Sequence, residues 1–205
     1  MTLWLRGVPF EVHNDEALSN AIKRDNDFFE AEILDYLATH HKKQGTILDI
    51  GANIGNHTVF FAAFLNAQMI YALEPLEENF RVLANNIAPF SNCIAYQLAA
   101  SAHSGEISMF LNRENYGAST IHLDGDRLVP CTTIDNMGFS NVTLMKIDVE
   151  EHEPAVLAGA SKTIQRNQPL ILMEDWYGKN KKYLPSNYTL LHGWDYDHTF
   201  LYGPK

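Results

Sequence analysis

The stretch Thr46-Ile47-Leu48-Asp49-Ile50-Gly51-Ala52-Asn53-Ile54-Gly55-Asn56-His57-Thr58 constrains this chain more than any other. An apolar run ends at an acid, a loop with two glycines follows, and an amphipathic segment begins at Val59. The order reads as strand, tight turn, helix. Glycine has no Cβ and takes positive φ, so the turn lets a ligand approach the backbone closely. The helix that follows presents free N–H groups at its start. A unit of this kind predicts an α/β fold.

The remaining pattern supports that class. Residues 69–73 form a second apolar run that stops at Glu74-Pro75, where proline presets a turn or helix start. Residues 76–87 read as a helix and 94–100 as a third strand. The alternation implies a parallel sheet with right-handed crossovers. Upstream, residues 3–12 alternate loosely around Arg6-Gly7 and read as a hairpin. Residues 25–41 read as one helix, with Asp27 and Glu30 at capping-box spacing and Phe29, Ile33 and Leu37 on one face. Downstream, 107–111 and 128–133 read as an antiparallel excursion around a polar loop, 112–126. A strand over 142–149, a helix over 155–165, a strand over 169–173 and a hairpin from 188–192 and 199–202 complete the reading. The chain of 205 residues is expected to form one domain, 1–205, with 1–25 as an N-terminal extension and 26–205 as the core.

The elbow suits two ligand classes. A dinucleotide wants Gly-x-Gly-x-x-Gly before its pyrophosphate, but here the glycines stand at 51 and 55. Asp49, just before the turn, would also repel a pyrophosphate. S-Adenosylmethionine has an ammonium and a cationic sulfur, and an acid at the strand end suits it. Glu74 lies 23 residues after Gly51, near the spacing at which a carboxylate accepts hydrogen bonds from ribose hydroxyls.

These residues carry a resemblance. Asp49-Ile50-Gly51-Ala52-Asn53-Ile54-Gly55, followed by His57-Thr58, resembles the first motif of class I S-adenosylmethionine-dependent methyltransferases. Three further stretches resemble the FkbM-type methyltransferase family: Glu74-Pro75 with Asn79 and Leu83-Ala84-Asn85-Asn86, then Pro130-Cys131-Thr132-Thr133-Ile134-Asp135, then Lys146-Ile147-Asp148-Val149-Glu150. The likeness runs from about residue 27 to 202. It implies a Rossmann-like class I fold: a seven-stranded, mostly parallel sheet with an antiparallel last strand and helices on both faces. It also implies methyl transfer to an oxygen, often a sugar hydroxyl of a glycan or glycosylated metabolite. The cofactor set it implies is Asp49, Gly51, Asn53, Gly55, Asn56, His57, Thr58, Glu74, Pro75, Ala100, Ser101 and Asp148. The family has glycine after the last glutamate of its signature; this chain has Glu151, then His152.

On a strand, Lys146, Asp148 and Glu150 would share one face. Charges on a buried strand need a purpose, because unpaired burial is costly. A sugar hydroxyl benefits from a base. Asp148 is the first candidate, with His152 and Glu174 next; Lys146 and Glu150 complete the expected catalytic set. Clustered carboxylates at 148, 150, 174 and 175 could take a hard cation, but no fixed-spacing metal motif is present and no metal ligand is assigned. Loop residues 116–120 are expected to face the acceptor, and Trp176, Tyr177, Trp194 and Tyr196 could stack on sugar faces.

A net charge of −10 argues against a broad nucleic-acid surface. RNA or protein methylation and non-catalytic cofactor binding are the alternative functions. The two cysteines lack metal-type spacing, no secretory run opens the chain, and no stretch approaches the roughly 20 apolar residues of a membrane span. Reduced thiols in a cytoplasmic protein are therefore expected.

Overall fold

The computed structural model describes residues 1–14, 16–112, 116–122, 124–176 and 178–205. Strands β1 (Thr2–Leu5) and β2 (Val8–Glu11) form the expected hairpin. Its two turn residues, Arg6 and Gly7, both have positive φ, which matches the right-handed twist of the flanking strands. Helices α1 (Ala17–Asp25) and α2 (Ala31–His40) follow. The helix expected over 25–41 is shorter, starting only at Ala31 after left-handed residues at Asn26 and Glu30, and α1 was not anticipated from the sequence. Asp27 does not cap α2. It is held by the guanidinium of Arg6 at 2.7 and 2.8 Å, an ion pair that outcompetes a neutral cap. Ile33 and Leu37 are buried as expected, while Phe29 precedes the helix and is exposed.

The chain then runs β3 (Gly45–Ile50), α3 (Asn56–Phe64), β4 (Ala67–Leu73), α4 (Glu77–Ile87), β5 (Cys93–Tyr96) and β6 (Ala99–Ala100). Next come β7 (Gly105–Phe110), β8 (Thr120–Ile121), β9 (Arg127–Thr132), α5 (Ile134–Met137) and β10 (Val142–Ile147). Last are α6 (Glu153–Gly159), α7 (Ser161–Asn167), β11 (Leu170–Glu174), β12 (Tyr188–Trp194) and β13 (Thr199–Pro204). The main sheet has seven strands in the order β12-β13-β11-β10-β3-β4-β5, and β13 alone runs antiparallel to both of its neighbours.

Every residue of β3 and β10 is buried, as expected of central parallel strands covered on both faces. Alternate residues feed two cores. Ile47, Leu144 and Leu172 pack with α2, α3 and α4, and with Leu5, Phe10 and Ile22 of the N-terminal segment. Leu48, Met145 and Ile171 pack with α5, α6 and α7 on the opposite face.

The excursion expected after the third strand is a separate four-stranded sheet, ordered β6-β9-β7-β8. The strand read over 94–100 divides between the two sheets, β5 going to the large one and β6 to the small one. The helix read over 155–165 is likewise two, meeting at Ala160. Among the described residues, no helix is long and apolar enough to cross a membrane.

Candidate active site

The elbow between β3 and α3 bonds to both neighbouring strands. Gly51 and Ala52 donate their N–H groups to Leu73 O at 3.0 and 2.9 Å, and Asp148 N donates to Ile50 O at 3.1 Å. Gly51 has φ 79°, and a Cβ there would lie 1.8 Å from Asp148 O. Its glycine is thus required by another stretch of protein backbone. Gly55, at φ 91°, starts α3 and packs on Leu83.

Asp49 is fully buried behind this turn. Thr58 Oγ1 donates to its Oδ2, and Lys146 Nζ stands 3.6 Å from its Oδ1. Lys146 is buried as well. It donates to Gly51 O at 2.8 Å and pairs with Asp148 Oδ2 at 3.0 Å. Burial works against the ammonium, but Asp148 and Asp49 outweigh it and hold the lysine charged well beyond the ordinary range. The three charges read onto one strand face are arranged otherwise. β10 ends at Ile147, and Glu150 and Glu151 take positive φ, 53° and 71°. Asp148 and Glu150 therefore come from a turn.

Glu74 directly follows β4 and is buried. Its Oε2 accepts from Asn53 N and its Oε1 from Leu76 N, each at 2.9 Å. Burial raises its pKa to about 7. Asn53 holds φ 51°, and its Oδ1 is buried without a partner. Asn56 clamps the backbone of Phe29, accepting from its N at 2.9 Å and donating to its O at 3.0 Å. His57 Nε2 lies 3.1 Å from Glu30 Oε2, at an angle that makes no hydrogen bond.

One carboxylate oxygen from each of Asp148, Glu150 and Glu174 lies within 4.8 Å of the others. Desolvation, then Asp148 and Glu153, lift Glu150 to about 7. Desolvation, then Asp148 and Glu150, lift Glu174 to about 8. Glu174 Oε2 is buried with no partner. Such a cluster offers hard oxygen ligands to a divalent cation. Asp175 is not part of it, because its two oxygens accept from Lys179 N and Asn180 N at 2.9 Å.

These groups border a cavity of about 430 Å³, within the range of small-molecule sites. The elbow backbone, Glu74, Pro75 and Ala100 border it on one side, and Lys146, Asp148, Glu150 and Glu174 on another. Gly117, Ser119 and Ile121 of the 116–121 segment also line it. Thr120 Oγ1 donates to Glu150 O at 2.7 Å and ties that segment to the acidic turn. Asp49, Gly55, Thr58, Ser101 and His152 do not reach the cavity wall. His152 Nε2 is engaged by Ser101 Oγ at 3.0 Å, and burial lowers its pKa. Trp176 and Tyr196 line the mouth, whereas Trp194 is core. Tyr177 lies outside the described residues, as do 113–115 and 123 of the polar loop.

Sequence reasoning missed Glu16, Glu30 and Asp197, which also line the cavity. Glu16 is almost fully buried, and its Oε1 has no partner. Its N-cap role on α1, accepting from Ser19 N at 3.0 Å, was a readable signal; its direction toward the cavity was not.

Residues 49–196 match the family described as the methyltransferase FkbM domain. Hexuronic acid methyltransferase AglP of Haloferax volcanii is 26% identical over 147 residues, which make up 66% of this chain and 58% of that protein. The chain therefore spans less than two thirds of that relative. The crystal structure of methyltransferase FkbM from Methylobacillus flagellatus superposes with a TM-score of 0.56 at 18% identity, over 77% of this chain and 43% of that one. A candidate methyltransferase of Streptococcus mutans, solved in complex with SAH, superposes with a TM-score of 0.51 at 14% identity, over 84% of this chain and 94% of that one.

Proposed function

The chain belongs to the FkbM methyltransferase domain family, and we propose that it transfers a methyl group from S-adenosylmethionine to a sugar hydroxyl. The observation that carries this reading is that one cavity is lined by two carboxylate environments. Glu74, held by backbone N–H groups, and the cluster of Asp148, Glu150 and Glu174 line it together.

The residues fit the cofactor. Glu74 spends one lone pair of each oxygen on the backbone and keeps others for ribose hydroxyls. Asn53 Oδ1 is a buried acceptor without a partner, and such groups are normally satisfied by something. Ala99 and Ala100 line the wall with small, apolar surface suited to a purine face. When bound, the cofactor supplies a methyl group on a cationic sulfur, which leaves the protein to position the acceptor and handle its proton.

Glu174 is the base that best suits that task. It faces the cavity, one of its oxygens lacks a partner, and its raised pKa lies near working pH. Asp148 is restrained by Lys146 and orients the cluster. Lys146 fixes the elbow to the acidic turn by bonding Gly51 O and pairing with Asp148 at once. His152 is held away on Ser101 and takes no part. Trp176 and Tyr196 at the mouth offer apolar faces to a sugar ring. The named activity of AglP, on a hexuronic acid, supports a carbohydrate acceptor.

Isothermal titration with S-adenosylhomocysteine tests the cofactor half of this reading. Binding that weakens on Glu74→Ala is expected. Absence of binding to the wild-type protein would overturn it.

A further inference from the structure

The cavity is one-sided in charge. Among its described lining residues are seven carboxylates and a single ammonium, that of Lys146. Lys146 is not available to a ligand anion, because its donors are turned to Gly51 O, Asp148 and Asp49. Glu74 belongs to the cofactor side in the reading above. Glu30 and Asp197 line the same cavity as the cluster of Asp148, Glu150 and Glu174, and so do the aromatic rings of Trp176 and Tyr196. More than half of each ring is exposed. Tyr196 is held in place by its hydroxyl, which donates to Glu32 at 2.9 Å.

A cationic cofactor offsets one net charge of this wall and leaves the rest. Carboxylates left facing one another in a half-buried site repel, and Glu174 Oε2 and Glu16 Oε1 are buried there without partners. A ligand carrying a carboxylate would add repulsion, and among the described lining residues no free cation answers it. A ligand carrying an ammonium would meet hydrogen-bond acceptors from several directions and an aromatic face beside them.

We propose, resting on the sugar-methylation reading, that the acceptor of this enzyme is an amino sugar bearing a protonated amine, and that uronic acids are excluded. The ammonium sits among the carboxylates lining the mouth, Glu30, Glu150, Glu174 and Asp197, while the ring packs on Trp176 or Tyr196.

The test compares four methyl glycosides at near-neutral pH with S-adenosylmethionine: glucosaminide, N-acetylglucosaminide, glucoside and glucuronide. Turnover and binding to the protein loaded with S-adenosylhomocysteine are both read. The glucosaminide is expected to exceed the N-acetylglucosaminide by about tenfold or more in kcat/KM, as one well-placed charge contact provides, with the glucuronide at background. Asp197→Asn should shrink the amine preference. A glucuronide turned over as well as the amine overturns the inference and leaves the sugar reading standing. An amine preference that appears only with added magnesium and vanishes with EDTA overturns it too, because the carboxylates then hold a metal. Binding of S-adenosylhomocysteine with no binding or transfer to any of the four glycosides overturns the sugar reading, and the inference with it.

Discussion

Lys146 is the residue on which the site's electrostatics turn. It neutralises Asp49, which no water reaches, and restrains Asp148, which faces the cavity. Removing it leaves Asp49 buried with only Thr58 as partner. Lys146→Met is therefore expected to cost about 3–5 kcal/mol, the penalty of breaking a buried pair from one side. Urea unfolding measures this, and a loss under about 1 kcal/mol, the value of an exposed pair, would contradict it. Glu150 and Glu174 make a different prediction. Their folded pKa values, about 7 and about 8, lie above the ordinary carboxylate value of 4.5. The folded state therefore holds protons that the unfolded chain has released, and stability falls as pH rises from about 4.5 toward 8. The unliganded protein should melt lower at pH 8 than at pH 6, and Glu174→Gln should flatten that slope. The same variant should lose roughly 100- to 10,000-fold in kcat if Glu174 is the base. In the wild type, kcat/KM should rise as pH passes the titration of Glu174.

At the scale of elements, the sequence was most legible where a pattern is local. The strand–turn–helix unit at 45–64, the hairpin at 2–11 and the central strands all follow from apolar runs and turn residues. It was least legible where a distant residue decides. The helix expected over 25–41 begins late because Asn26 and Glu30 are left-handed, and Arg6, on the hairpin, holds Asp27 in the segment between them. The strand read over 94–100 divides because β6 pairs with β9, some thirty residues later. The charged run at 146–150 fits strand alternation, but Glu150 and Glu151 leave the strand conformation after Ile147. The glycine at 51 was read as a place for close approach to the backbone, and the backbone of Asp148 is one group that approaches it. Gly51→Ala puts a methyl group against Asp148 O in a left-handed conformation. It should cost about 2–4 kcal/mol and displace Asp148, so kcat should fall even where the protein remains folded. A variant with wild-type stability and turnover would contradict the contact.

For the whole molecule, the cavity draws on segments far apart in the sequence. Glu74, the Asp148 turn and Glu174 come from the ends of β4, β10 and β11, three parallel strands of one sheet with β3 between β10 and β4. Glu16, Glu30 and Phe29 come from the first thirty residues, ahead of the family match at 49–196. Asp197 comes from the turn between β12 and β13. The motifs and charge pattern named Glu74, Asp148, Glu150, Glu174, Trp176 and Tyr196, which all line the cavity, whereas Glu16, Glu30 and Asp197 share no spacing with them and meet them only after folding. Acceptor choice belongs to these scattered residues and to the 116–121 segment tied to Glu150.

The measurement that tests the central claim most directly is transfer itself. The protein is incubated with S-adenosylmethionine and the glycoside panel, and products are read by mass spectrometry with fragmentation. The account predicts the mass of one methylene gained on a ring hydroxyl oxygen, lost in Glu174→Gln and Glu74→Ala. Methyl gain confined to RNA or protein substrates, with none on any glycoside, would contradict it.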